Sequence, residues 1–238
     1  MVEVLYEDNH LLAVNKPAML PTMGVGEDRP SLLVAAKQYI GRKYAKPGNV
    51  YLGIVSRLDA PVTGVVLMAR TSKAAARLAK QFRDRDVEKI YWAIVEGVVV
   101  PPAGTLVDFL RKDERHRRMH IAGPSAPDAQ RAELAYRTLA DEPGAPRLSD
   151  RAWATLLEVR PLTGRKHQIR VQLAQAGFPI VGDRKYGSRR DFGAGIALHA
   201  RRLVVEHPVL KTPVSIEAPL PVAWRGFLVG GARPQADR

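Results

Sequence analysis

Apolar and polar positions along the chain change period several times. In "EVLYEDNHLLAVNKP" two short apolar stretches flank the turn residues "EDN", which predicts a β-hairpin ended by Pro17. In "SLLVAAKQYIGRKY" Leu32, Ala36, Tyr39 and Ile40 recur on one helical face, with Ser31 placed to cap. "NVYLGIVSRLD" predicts a strand, and "GVVLMART" a second one beyond a turn. "SKAAARLAKQFRDRD" predicts a helix opened by Ser72, with Leu78 and Phe82 facing inward. "KIYWAIVEGVVV" is β-branched and aromatic, as a half-buried pleated surface requires.

Residues 111–130, "RKDERHRRMHIAGPSAPDAQ", break the pattern, and a mobile basic loop and an extended hairpin both fit them. "AELAYRTLA" and "AWATLLEVRPL" predict two strands joined by "DEPGAPRLSD". "GRKHQIRVQLAQAG" predicts a helix that Thr163 can cap and Gly177 can end. "ALHARRLVVEHP" and "VSIEAPLP" predict closing strands. Hairpins mixed with crossovers predict an α+β fold with a central mixed, mostly antiparallel sheet flanked by helices and loops. Without a repeat or a clear linker, the expectation is one domain over residues 1–230 and a flexible C-terminal tail over 231–238.

Composition adds a partner class. The 238 residues are 46% hydrophobic, with no apolar run of membrane-spanning length and no signal-peptide pattern. The absence of cysteine excludes a disulfide framework and thiolate metal sites, and fits a cytoplasmic protein. A net charge of +13 points to a polyanionic partner, because phosphates exchange condensed counterions for Lys and Arg. A basic proteome or a high-salt adaptation is the blander reading. Aromatic residues at 6% do not suggest repeated stacking platforms for single-stranded nucleic acid.

Three local features carry candidate chemistry. Asp59 follows Arg57 by two positions in "VSRLDAPVTGVVLMAR". On a strand the two share a face, and an ordinary turn Asp beside a surface Arg competes with a carboxylate presented for chemistry. The predicted helix over 164–176 opens with Arg165, Lys166 and His167 and no carboxylate. Cations oppose the helix dipole there, so a recruited anion and a merely solvated basic face are both readings. Ile169, Leu173 and Ala176 form its apolar face, and Arg170 lies at the margin of that face. Tyr91 in "EKIYWAIVEG" reads locally as a core residue with its hydroxyl at a rim. Phosphate-loop, HExxH and GxSxG patterns are missing, so no metal or nucleotide cofactor is expected.

Taken together, five blocks in order resemble the RluA-type RNA pseudouridine synthases over nearly the whole chain. They are "VLYEDNHLLAVNKPAMLPTMG", "SRLDAPVTGVVLMART", "EKIYWAIVEG", "RPLTGRKHQIRVQLAQAGFPIVGDRKYG", and "LHARRLVVEHP" with "EAPLP". Ser56 stands where the family signature has His, and Val62 and Thr63 where it has Thr and Ser, while Arg57, Leu58, Asp59 and Gly64 are retained. The resemblance implies the pseudouridine synthase fold and conversion of uridine to pseudouridine in structured RNA, tRNA or rRNA, without cofactor. It implies Asp59 as nucleophile, Arg170 as the arginine paired with it, and Tyr91 as the residue packed on the target base. The opening hairpin starts near Val4, so target recognition is expected from the catalytic domain itself, acting as a monomer.

The expected substrate-binding residues are Arg57, Ile169, Arg111, Arg115, Arg117 and Arg118 in the basic segment, and Arg165, Lys166 and His167, with the basic segment and the 165–167 cluster holding the flanking phosphates. Two other functions stand beside the leading one: a catalytically silent RNA-binding protein on the same fold, and a glycosylase-like hydrolase using Asp59.

Overall fold

In chain order the strands are β1 (Glu3–Glu7), β2 (Leu11–Lys16), β3 (Gly53–Ile54), β4 (Thr63–Ala69), β5 (Glu88–Glu96), β6 (Ala103–Asp113), β7 (Arg118–Ala122), β8 (Gln130–Thr138), β9 (Arg147–Leu148), β10 (Ala154–Pro161), β11 (Leu198–Glu206), β12 (Pro213–Glu217) and β13 (Leu228–Val229). The helices are α1 (Leu32–Lys43), α2 (Ser72–Asp84) and α3 (Gln168–Gln175). This computed structural model describes residues 2–24, 29–45, 47–139, 147–149 and 153–229. The expected tail at 231–238 and most of the "DEPGAPRLSD" connection lie outside the described residues. The chain forms two compact units, Met1–Tyr91 with His199–Leu220, and Trp92–Leu198 with Pro221–Arg238.

The first unit is built on β2 and β4. "LLAV" in β2 is buried at every position, because the sheet is covered on both faces and apolar side chains are needed on each. Leu11, Ala13, Val65 and Leu67 pack with Leu78 of α2 and with Leu203, Val205 and Ile216. Leu12, Val14, Val66 and Met68 pack with Leu32, Ala36 and Ile40 of α1. Both helices are capped as their sequences require: Ser31 Oγ accepts from Val34 N, and Thr71 Oγ1 accepts from Ala74 N. The cap of α2 is therefore Thr71, one residue before the expected opening at Ser72.

Strand β4 is paired along both of its edges. β2 runs antiparallel along one side. On the other, β11 pairs in parallel at His199↔Thr63 and Ala200↔Gly64, and β3 pairs antiparallel at Gly53↔Ala69 and Ile54↔Met68. The sheet is thus mixed, and the α+β class stands. The strand predicted over "NVYLGIVSRLD" is reduced to the two residues of β3. The Leu67 N–H donates to Ser56 Oγ at 2.9 Å, so a side chain takes the acceptor position where a ladder carbonyl would sit and the chain leaves the sheet. Gly64 has φ +112°, and a Cβ there would fall on the Ala200 backbone, so the parallel contact requires glycine.

In the second unit β8 lies antiparallel between β10 and β6, and β6 pairs with β7. The basic segment is the turn end of the β6–β7 hairpin, so the extended-hairpin reading holds. Leu110, Met119 and Ala132 pack on Val171 of α3. Gln172 Nε2 donates to Asp108 Oδ2 at 2.7 Å, tying α3 to β6. Trp224 is buried edge-on against Phe192.

The helix predicted from residue 164 begins at Gln168, and Thr163 does not cap it. His167 is left-handed at φ +52°, which no helical residue adopts. Gln168 organises the approach instead: its Oε1 accepts from Arg165 N and Thr163 Oγ1, and its Nε2 donates to Glu133 O. Arg165, Lys166 and His167 therefore precede the helix and do not occupy its first turn. Gly177, at φ +91°, follows the C-cap Ala176 as expected.

Candidate active site

Asp59 lies in the loop left where β3 ends, not on a strand, so the shared-face argument for Arg57 and Asp59 does not apply. A turn closes behind it, with Val62 N–H donating to Asp59 O at 3.0 Å. Two side chains hold the loop by its backbone. Thr22 Oγ1 donates to Leu58 O at 2.9 Å and accepts from Leu58 N at 3.2 Å. Lys16 Nζ donates to Ala60 O at 2.9 Å and to Pro17 O and Leu20 O, each at 2.8 Å. These three bonds use all three ammonium hydrogens.

Lys16 is fully buried. Burial pushes its pKa down to about 8, and the nearby negative charge of Asp59 opposes that shift only in part. Tyr91 is pushed up to about 12, by desolvation first and by the charge of Asp59 second. A cation and a neutral phenol thus stand within the field of the Asp59 carboxylate.

The three residues where this chain departs from the resembled signature all have defined places. Ser56 ends the β3 pairing, as above. Val62 is buried. Thr63 Oγ1 is 2.8 Å from His199 Nδ1. Burial pushes His199 down to about 4, so its ring is neutral at ordinary pH. With Nε2–H directed at Ala218 O, Nδ1 accepts the Thr63 hydroxyl.

In the second unit Arg170 is nearly buried. Its Nε and Nη2 donate to Asp183 Oδ2 and Oδ1 at 2.6 and 2.9 Å, a two-pronged pair that fixes the guanidinium plane. The Tyr186 ring lies 5.1 Å from the Arg170 guanidinium carbon. The Tyr186 hydroxyl accepts from Met119 N at 3.0 Å and lies 2.8 Å from His167 Nδ1. Lys185 Nζ donates to Arg117 O at 2.7 Å, so the 184–186 turn also holds the end of the basic hairpin.

The expected RNA-holding side chains divide. Arg57, Arg111, Arg115, Arg117, Arg118, Arg165 and Lys166 are exposed, and His167 is half-buried. Ile169 is buried. The hairpin also carries its own acids: Asp113 takes His116 at 2.7 Å and Arg118 at 3.8 Å, and Glu114 takes Lys112. Among the described residues no group of acids and histidines is arranged to hold a metal ion. No helix among them is long and apolar enough to cross a membrane.

Lys16, Asp183 and Tyr186 were not singled out by sequence. The available signal for Lys16 is a lysine two residues past the apolar run Leu11–Val14 and on the same strand, an unusual place for a solvated cation.

Comparison with known proteins places the chain in a family. The family described as RNA pseudouridylate synthase matches residues 10–175. The chain is 33% identical to a tRNA pseudouridine synthase C of Pectobacterium carotovorum subsp. carotovorum, over 96% of this chain and 61% of that relative. It is 32% identical to a tRNA pseudouridine synthase C of Vibrio cholerae, over 96% of this chain and 95% of that relative. The solved structure of human RNA pseudouridylate synthase domain containing 4 superimposes with a TM-score of 0.75 at 25% identity, covering 97% of this chain and 95% of that one. The chain belongs to the RNA pseudouridylate synthase family, isomerases that make pseudouridine in RNA.

Proposed function

We propose that this chain converts specific uridines of tRNA to pseudouridine with Asp59 as the nucleophile. The observation that carries the reading is the Asp59 loop itself. Its backbone is fixed on both sides by Lys16 and Thr22, and Tyr91 is held neutral within the field of its carboxylate. Such fixing presents a reactive group without reorganisation at the moment of reaction. In the reaction the N1–C1′ bond of uridine breaks, the uracil rotates, a C5–C1′ bond forms, and the C5 proton is lost as N1 gains one. Atoms and electrons balance within the substrate, so the step calls for no co-reactant. Asp59 attacks C1′ or assists departure of the base. Tyr91, protonated up to about pH 12, packs on the uracil and relays the proton rather than holding a charge of its own.

Arg170 enters the proposal from the resemblance, as the cation that serves the nucleophilic carboxylate. The exposed arginines at 111, 115, 117 and 118, with Arg165 and Lys166, hold phosphates that flank the target. Neutralising several of them lowers the salt dependence of binding as well as its strength. The tRNA assignment follows the relatives named above, with ribosomal RNA as the competing substrate. The setting that goes with it is the cytoplasm.

One assay decides. Wild-type protein and Asp59→Asn are incubated separately with tRNA and with rRNA, both from cells lacking this protein, and pseudouridine is mapped by adduct stops. New pseudouridine in tRNA, dependent on Asp59, is the expected result. Binding without conversion would establish the silent RNA-binding alternative, free uracil would establish a hydrolase, and conversion only in rRNA would move the substrate.

A further inference from the structure

The last residue of β5, Glu96, spends its carboxylate on one short loop. A single oxygen, Oε1, takes three donors: Ser188 Oγ at 2.6 Å, Arg189 N at 2.9 Å and Arg190 N at 3.0 Å. Burial works against its charge, and the bonds from Ser188, Arg190 and Arg189 more than offset this, so the carboxyl lies below its ordinary pKa and stays ionised. Two successive backbone N–H groups converging on an anion form a nest. An internal carboxylate fills this one and so fixes the course of the chain through residues 188–190.

The loop is tied on its other side as well. Ser188 Oγ accepts from Gly182 N at 2.9 Å, and Ser188 N donates to Asp183 O at 3.1 Å. Asp183 holds the Arg170 guanidinium, so residues 188–190 leave directly from the turn that fixes Arg170. The Arg190 guanidinium carbon lies 4.6 Å from the centre of the Trp153 ring, which steadies that side chain. Arg184 is matched by Asp191 at 2.7 Å. Arg189 is exposed, and among the described residues no acid or carbonyl meets its guanidinium. A backbone held this firmly beneath an unmatched arginine adds nothing to stability through that side chain, but it lowers the ordering cost when the arginine grips an anion.

We propose that Arg189 contacts an RNA phosphate, and that Glu96 is a positioning residue that holds the 188–190 strap in its binding shape. This rests on a structured RNA being the substrate, and not on Asp59 being the nucleophile. The planar guanidinium matches a phosphate with two parallel donors, which a fixed backbone can aim. A carboxylate near such a site repels RNA by charge, so Glu96 can assist binding only through geometry. The two effects have opposite signs.

The test measures binding of the tRNA and of the rRNA used in the assay above, as a function of potassium chloride concentration. Arg189→Gln should weaken binding about tenfold and lower the slope of log affinity against log salt by about one. Arg189→Lys should keep that slope, since the charge remains. Glu96→Ala should weaken binding about threefold although the protein becomes more positive. Glu96→Gln, whose amide oxygen still accepts the same donors, should bind within about twofold of wild type. Unchanged affinity and slope in Arg189→Gln would overturn the phosphate contact. Tighter binding by Glu96→Ala, the response to losing a merely repulsive charge, would overturn the positioning role. The expected shifts in a protein that binds RNA and converts none would sustain this inference while the nucleophile reading failed. Wild-type protein that binds neither RNA would overturn the substrate reading, and this inference with it.

Discussion

Two carboxylates, Asp59 and Asp183, sit outside the strands and helices and are treated in opposite ways. Asp183 is buried at 1% exposure, and both its oxygens are taken by Arg170. Around Asp59 the fixing bonds from Lys16 and Thr22 go to the backbone of its neighbours, Leu58 and Ala60. One arrangement uses a carboxylate to hold an arginine, and the other uses a lysine and a threonine to hold a carboxylate's loop. Removing the first charge should therefore damage the fold, and removing the second should damage the reaction.

The largest expected effect is on rate. Asp59→Asn should lower conversion by about four orders of magnitude or more, while its denaturation midpoint stays close to wild type. Loss of both together would erase the contrast. Asp183→Asn should instead show itself first in stability: Arg170 loses the carboxylate that holds its guanidinium, at a cost of about 3–5 kcal/mol in urea denaturation.

Lys16 sharpens the comparison through pH. Its folded value of about 8 lies below the ordinary 10.5. Between these values the unfolded chain binds a proton that the folded chain has released, so this group raises stability as pH increases, by up to about 3 kcal/mol. Below pH 8 the penalty for the buried ammonium is present in full. Tyr91 acts in the other direction from pH 10 to about 12, because its raised value favours the protonated folded state. Denaturation of wild type and Lys16→Met from pH 7 to 10 isolates the lysine by difference: the variant should show a smaller alkaline gain, since Lys89, also lowered by burial, still contributes. A gain of equal size in both would show that the ammonium is not the titrating group.

The smallest effect is expected at Tyr186→Phe. The ring stays over Arg170, but the hydroxyl bridge between Met119 N and His167 is lost, at about 1–2 kcal/mol. A much larger cost would show that the hairpin depends on this one hydroxyl.

What could be read from sequence followed the range of the interactions. The β1–β2 hairpin, both helices of the first unit and the Ser31 cap depend on neighbours a few residues away, and their patterns are plain. "NVYLGIVSRLD" has the composition of a strand, yet it stops at Ile54 because Ser56 meets Leu67 across the sheet, a contact no local pattern encodes. The start of α3 differs from the pattern for the same reason: "GRKHQ" continues the helical pattern backwards, but Gln168 turns its amide onto Thr163, Arg165 and the Glu133 backbone. Asp59, Tyr91 and Arg170 were named through resemblance, not period. Lys16, Asp183 and Tyr186 were passed over because their partners are set by tertiary structure, and a lysine or aspartate reads as a surface residue until its partner is known.

Gly64 sets a limit on how this loop can evolve. Its backbone meets Ala200 with no room for a side chain, and this contact anchors the point where the Asp59 loop re-enters the sheet. Residues 56 and 62 are positions where this chain differs from the signature it resembles, and neither meets a backbone in that way. The length of the loop is under a stricter rule. Any insertion or deletion between β3 and Gly64 must be absorbed before a fixed endpoint, so divergence among such loops is expected as substitutions at constant spacing.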